Sequence, residues 1–127
     1  MAKKTINTGS ALGPYSSAVV AGEHCYIAGT GGFLPGTSTI VDGGIEAEIR
    51  QAMDNLEATL ARAGFALADV VSVTCYLRHT EHWPVLNEVY RNYFTKDEPA
   101  RASLVVAGMP ANASFEITCV AWRGKDA

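Results

Sequence analysis

Two opposite charges stand at the heads of two apolar, β-type runs: Arg101 in PARASLVV (residues 99–106) and Glu116 in SFEITCVAW (114–122). A guanidinium stays charged at any physiological pH and presents its N–H donors in a rigid fork that matches a carboxylate. A carboxylate held partly out of water takes up protons and orders a water molecule. The pair therefore has two chemical readings. One is an ion pair between neighbouring strands, since a simple hairpin through the intervening segment sets the two residues opposite each other. The other is a cleft in which Arg101 grips a substrate carboxylate and Glu116 orients or deprotonates a water.

Other candidate chemistry is thinner. AGTGGFLPG (28–36) follows a strand, but no Lys-Ser/Thr comes after it and Leu34 stands where the third glycine of GxGxxG belongs. A turn, or a backbone wall for a pocket, fits it better than a phosphate loop. His24, His79 and His82 lack metal-binding spacing, and His79 and His82 fall in a strand-to-helix loop that is expected to be solvated. Cys25, Cys75 and Cys119 are isolated in apolar runs and read as buried thiols in strands, with neither a disulfide framework nor a zinc site. No GxSxG elbow accompanies the serines, so nucleophilic catalysis is not indicated.

The elements that carry Arg101 and Glu116 follow from periodicity. Residues 17–21 and 24–29 flank Gly22-Glu23 as a β-hairpin, and a glycine-rich loop comes next. Ile45, Ile49, Ala52, Met53, Leu56, Leu60 and Ala63 recur at helical steps, with Gly64 placed to end the helix. Residues 69–77 alternate strictly, Val71, Val73, Cys75 and Leu77 against Val70, Ser72, Thr74 and Tyr76. A second helix carries Leu86, Val89, Tyr90, Tyr93 and Phe94, with Thr80 as its N-cap candidate and Pro84 in its first turn. Residues 101–107 and 115–122 complete an α+β order of β-β-α-β-α-β-β, with both helices on one face of a single sheet.

Alternation then assigns faces. Phe115, Ile117, Cys119 and Ala121 suit the helix-covered side, as do Ala102, Leu104 and Val106. Arg101, Ser103 and Val105 are thereby expected on the other face, with Glu116, Thr118, Val120 and Trp122. That face is too apolar for solvent and too polar for a core, which predicts a closed homo-oligomer built on it.

The 127 residues suit one domain, 1–127, with 48% apolar and 18% charged residues. The net charge of −3 provides no basic footprint for nucleic acid. MAKKTINTGS lacks the apolar core of a secretory signal, and no window approaches the roughly 18 apolar residues of a membrane span. The expected location is the cytoplasm.

GPYSSAV (13–19), YIAG (26–29), RQAMDNLEATLARAG (50–64), DVVSVTCYL (69–77), NEVYRNYF (87–94), PARA (99–102) and FEITCVA (115–121) together resemble the Rid (YjgF) family of enamine/imine deaminases. The PARA segment followed by the E-I-x-x-x-A strand is the most specific part of that resemblance. It implies a chorismate-mutase-like fold, a homotrimer with sheets facing a central barrel, and active sites between subunits. In such a fold the last two strands do not form a simple hairpin. The implied substrates are reactive enamine and imine carboxylates released by pyridoxal-phosphate enzymes, 2-aminoacrylate above all, hydrolysed without metal or cofactor to 2-keto acids and ammonia. By position, the resemblance makes Arg101 the carboxylate grip and Glu116 the holder of the attacking water. It makes Tyr15 and Trp83 the pocket walls, with backbone around Ala28, Gly29 and Ser103 completing the site. Ala28 and Thr30 depart from the family's common serine and glutamine, which reshapes the pocket while leaving Arg101 and Glu116 in place.

The expected activity is thus cofactor-free hydrolysis of enamine/imine intermediates, a form of metabolite damage control. Its rivals are a pathway-specific deaminase of another amino-substituted acid, and a non-catalytic protein that binds a small ligand in the same pocket.

Overall fold

Two-residue alternation in the apolar runs becomes a six-stranded sheet, and the three-to-four-residue period becomes two helices. The computed structural model describes residues 2–9 and 12–124. The strands are β1 (Lys4–Ile6), β2 (Ala18–Ala21), β3 (His24–Gly31), β4 (Val70–Leu77), β5 (Ala100–Val105) and β6 (Phe115–Trp122), and the helices are α1 (Ile45–Arg62) and α2 (Trp83–Tyr90). In space the strands run β1-β2-β3-β6-β4-β5. All pairs are antiparallel except β4 with β5, whose parallel pairing is made possible by the crossover through α2.

The expected α+β sheet with two helices is present, preceded by β1, whose three residues are too few to show alternation. The first hairpin turns at Gly22, where φ is +60°. In α1 the apolar stripe Ile49, Met53, Leu56 and Leu60 is fully buried against the sheet. Its end is a Schellman motif: Gly64 at φ +86° lets its N–H reach the Ala61 carbonyl, while the Phe65 N–H bonds the Leu60 carbonyl and its ring enters the core. Among the described residues no helix is long and apolar enough to cross a membrane.

Three elements depart from expectation. The face assignment of β4 fails at its start, because pairing with β6 shifts register between Val70 and Ser72; Val70 is buried and Val71 exposed. Helix α2 starts at Trp83 with His82 as its N-cap, since Thr80–His82 form a separate 3-10 turn, and His82 is half-buried with an unpartnered Nδ1 instead of being solvated.

The third correction concerns Arg101. β5 lies in parallel register with β4, Val73 beside Arg101, Cys75 beside Ser103 and Leu77 beside Val105. Val73, Cys75 and Leu77 are core residues, so Arg101 and Ser103 are on the helix side while Ala102 and Leu104 face away and are exposed. The run mixes polar and apolar residues on both faces, and the pairing partner, not the alternation, decides between them. Strand β4 also stands between β5 and β6, which rules out the cross-strand ion pair of Arg101 with Glu116.

Candidate active site

Glu116 is where alternation predicted it, on β6 between the buried Phe115 and Ile117 and facing away from the helices. Its cross-strand neighbours are Gly31 on β3 and Tyr76 on β4. The β3–β6 ladder breaks register between Ile27 and Thr30, at Ala28-Gly29, and this irregularity brings the backbone of Gly29 against the Glu116 carboxylate. A Cβ on Gly29 would lie 2.2 Å from Glu116 Oε2, so only glycine leaves the carboxylate its place. Burial pushes the Glu116 carboxyl up from the ordinary value of 4.5, and no ion pair offsets it among the described residues.

Gly29→Ala is consequently expected to move the carboxylate without unfolding the chain, because the colliding atom is the far end of a flexible side chain. Any activity that depends on Glu116 should fall about 100-fold, the penalty typical of a displacement near 1 Å. Steady-state kinetics beside a thermal melt checks this; full activity would detach Gly29 and Glu116 from the chemistry.

A cavity of about 270 Å³ opens beside Glu116. Gly29, Gly31, Ala28 and Thr30 of β3 form one wall and Tyr15 another. The glycine cluster thus serves as a backbone wall, with Asn55 of α1 donating to the carbonyls of Gly31 (3.0 Å) and Phe33 (2.9 Å) to hold it.

Arg101 belongs to a second cluster. Its guanidinium lies 4.7 Å from the centroid of the Tyr90 ring, its Nη2 donates to Asn87 Oδ1 at 2.6 Å and its Nε to Ser103 Oγ at 2.8 Å. Trp83, Asn87 and Tyr90 recur at i, i+4 and i+7 on α2, one stripe of that helix. Two of the five donors are spent on aiming the fork and three remain for a ligand. No carboxylate among the described residues pairs with it. Tyr90 is a neutral platform, since burial pushes its hydroxyl up to about 12.

The expected site residues therefore fall into two groups. Glu116, Tyr15, Ala28 and Gly29 share the cavity, whereas Arg101, Ser103 and Trp83 do not line it. Arg101 is held toward α2 on one side of the sheet, and Glu116 projects from the other side with β4 between them. One group presents a guanidinium with unspent donors, the other a carboxylate beside a cavity. The thiols offer no alternative nucleophile, because all three are buried and burial raises Cys75 and Cys119 to about 12.

The sequence model of the family described as Endoribonuclease L-PSP matches residues 5–123. A 2-iminobutanoate/2-iminopropanoate deaminase of Homo sapiens is 37% identical over 120 residues, spanning 94% of this chain and 88% of that protein. The chain belongs to the Rid family. A RutC family protein of Pyrococcus horikoshii is 39% identical over 119 residues, 94% of each chain. The crystal structure of RidA from the Antarctic bacterium Psychrobacter sp. PAMC 21119 superposes with a TM-score of 0.89 at 34% identity, covering 94% of this chain and 99% of that one.

Three residues of this Rid-family chain gained no role from sequence reasoning. Asn87 aims the Arg101 fork; it stands in NEVYRNYF, but nothing in that string shows that its amide meets β5. Tyr90 reads as one more apolar helix position until its ring is found under the guanidinium. Glu48, only 6% exposed, accepts hydrogen bonds at Oε2 from the backbone of Ser114 (2.7 Å) and Phe115 (3.1 Å), which fixes the start of β6 just before Glu116. The visible signal was a glutamate next to the buried Ile49 on a helix whose other acids lie outward.

Proposed function

We infer that this chain hydrolyses 2-imino acids, reached from their enamine tautomers, to 2-keto acids and ammonia, at a site assembled from two copies of the chain. The observation that carries this reading is the pair of half-buried, opposite, unpaired charges on opposite sides of one sheet. A half-buried charge without a partner is costly, and symmetric association is the simplest way to bring Arg101 of one copy to Glu116 of another. The apolar surface for such association exists: Tyr26, Leu104 and Trp122 are exposed on the face away from the helices. The homotrimer implied by the Rid resemblance suits this arrangement.

The steps follow from the residues. Arg101, aimed by Asn87 and Ser103, binds the substrate carboxylate through its remaining donors. The imine carbon then lies toward Glu116, which accepts a hydrogen bond from a water. The water oxygen bonds to that carbon as its proton passes by way of Glu116 to the imine nitrogen, giving a carbinolamine. Collapse to the keto acid breaks the C–N bond, the hydroxyl proton again moves through Glu116 to nitrogen, and ammonia leaves. Tyr15 on the cavity side and Trp83 on the Arg101 side exclude bulk water.

A pyridoxal-phosphate dehydratase that releases 2-aminoacrylate provides the test: the protein should speed keto-acid release well above the spontaneous rate. No acceleration, with 2-aminoacrylate or with other imino acids, would contradict the reading.

The reading also predicts a pH profile. Glu116 must be ionised to take a proton, and burial sets its pKa above 4.5. With the Arg101 charge taken up by the substrate carboxylate, kcat should rise with pH through an apparent pKa above the ordinary glutamate value and then level off. A kcat that stays constant down to pH values below 4.5 would remove Glu116 from proton transfer.

A further inference from the structure

The cavity beside Glu116 is larger and more apolar than a three-carbon enamine requires. Its 270 Å³ is room for about nine waters at roughly 30 Å³ each. Leu12 (42% exposed) and Tyr15 (48%) from the segment between β1 and β2, and Leu34 (42%) after β3, leave large apolar surfaces uncovered, and all three line it. Phe33 and Pro35, after β3, and Ala58 of α1 add to this side. Of the polar residues that line it, Thr30 donates its hydroxyl proton to the Ala28 carbonyl at 2.9 Å and Thr8 and Ser17 share a hydrogen bond at 3.1 Å, while the exposed Arg62 adds a cation beside the apolar surface. The segment carrying Phe33 and Leu34 is tied to α1 by the bonds from Asn55.

We propose that this cavity is the side-chain subsite of the deaminase site and selects 2-imino acids with large apolar side chains, branched or aromatic, over those derived from alanine or 2-aminobutyrate. The proposal rests on the deaminase reading and adds its substrate class. Exposed Leu12, Tyr15 and Leu34 gain by being covered with an apolar group, whereas a methyl or ethyl side chain leaves most of that surface wet. With the carboxylate at Arg101 and the imine carbon at Glu116, the substrate side chain is the part left to enter the cavity.

The test supplies imines in situ from leucine, phenylalanine, alanine and 2-aminobutyrate with an amino-acid oxidase of broad specificity, at matched rates of supply, and follows keto-acid release. The expected kcat/KM for the leucine- and phenylalanine-derived imines exceeds that for the two small ones at least about tenfold, the discrimination an apolar pocket can reach. Ala58→Phe, at an exposed position of α1, fills the cavity and should shrink that ratio about tenfold or more, with an unchanged thermal melt. Leu34→Asn, outside any helix or strand, should shrink it as well. Small imines turned over as well as large ones would overturn this inference and leave the deaminase reading standing. A preference that neither substitution alters would mean that this cavity is not the subsite. Inactivity toward all four imines would overturn the deaminase reading and this inference with it.

Discussion

Replacing Arg101 by lysine should lower kcat/KM by at least about 100-fold although the positive charge is kept. Lysine is a point charge without the planar fork, so it cannot take a carboxylate through two parallel bonds while Asn87 and Ser103 hold its other donors. A hydrogen bond to a charged group contributes about 1.5 to 3 kcal/mol, and each 1.4 kcal/mol is tenfold in rate. Losing one such bond and the alignment of the other accounts for about two orders of magnitude. Alanine, which removes the charge as well, should cost about a thousandfold or more. The fold should survive both changes, since Arg101 is half-buried on an edge strand and its contacts are with the side chains of Asn87, Tyr90 and Ser103. Steady-state kinetics with size-exclusion and light scattering separates the effects. An R101K enzyme within about fivefold of the parent would show that no bidentate grip is needed, and with it the carboxylate assignment would go.

Glu116→Gln should act on kcat. Glutamine is nearly isosteric and still accepts a hydrogen bond from a water, so binding is kept, but it cannot take the proton. The expected loss is about 10²- to 10⁴-fold in kcat, with KM changed little and with the acid limb of the pH profile gone from the residual activity. A variant that loses KM and keeps kcat would make Glu116 a binding group. Gly29→Ala should resemble it in part, because displacing the carboxylate and neutralising it remove the same proton transfer.

The two residues differed in how readily their surroundings could be read from the chain. Glu116 is flanked by Phe115 and Ile117 in a run whose buried and exposed sets separate cleanly, so its side of the sheet was visible in the alternation. Helix α1 was equally visible, because its apolar stripe and Gly64 are local signals. Around Arg101 the local signal is ambiguous: Ala102 and Leu104 on one side and Ser103 and Val105 on the other describe no clear amphipathic strand. Its orientation is set by parallel register with β4, a pairing made through the α2 crossover and not encoded near residue 101. The same holds for Asn87, which is an ordinary helix position until β5 lies beside it. The register shift at the start of β4 turned Val71 out of the core, and strict alternation has no way to announce such a bulge. What the chain showed locally was therefore the charges and the helices; what it hid was the long-range pairing that puts the charges on opposite sides of the sheet.

That placement yields the most direct test of a site made from two copies. Arg101→Ala and Glu116→Gln, each reduced to its small residual activity, are unfolded, mixed in equal amounts and refolded together. If Arg101 of one copy serves Glu116 of another, about a quarter of the sites in a randomly assorted symmetric oligomer carry both intact groups, and a corresponding fraction of the parent activity returns. If the two groups act within one chain, every site in the mixture lacks one of them. The mixture would then stay as inactive as its components, contradicting the account.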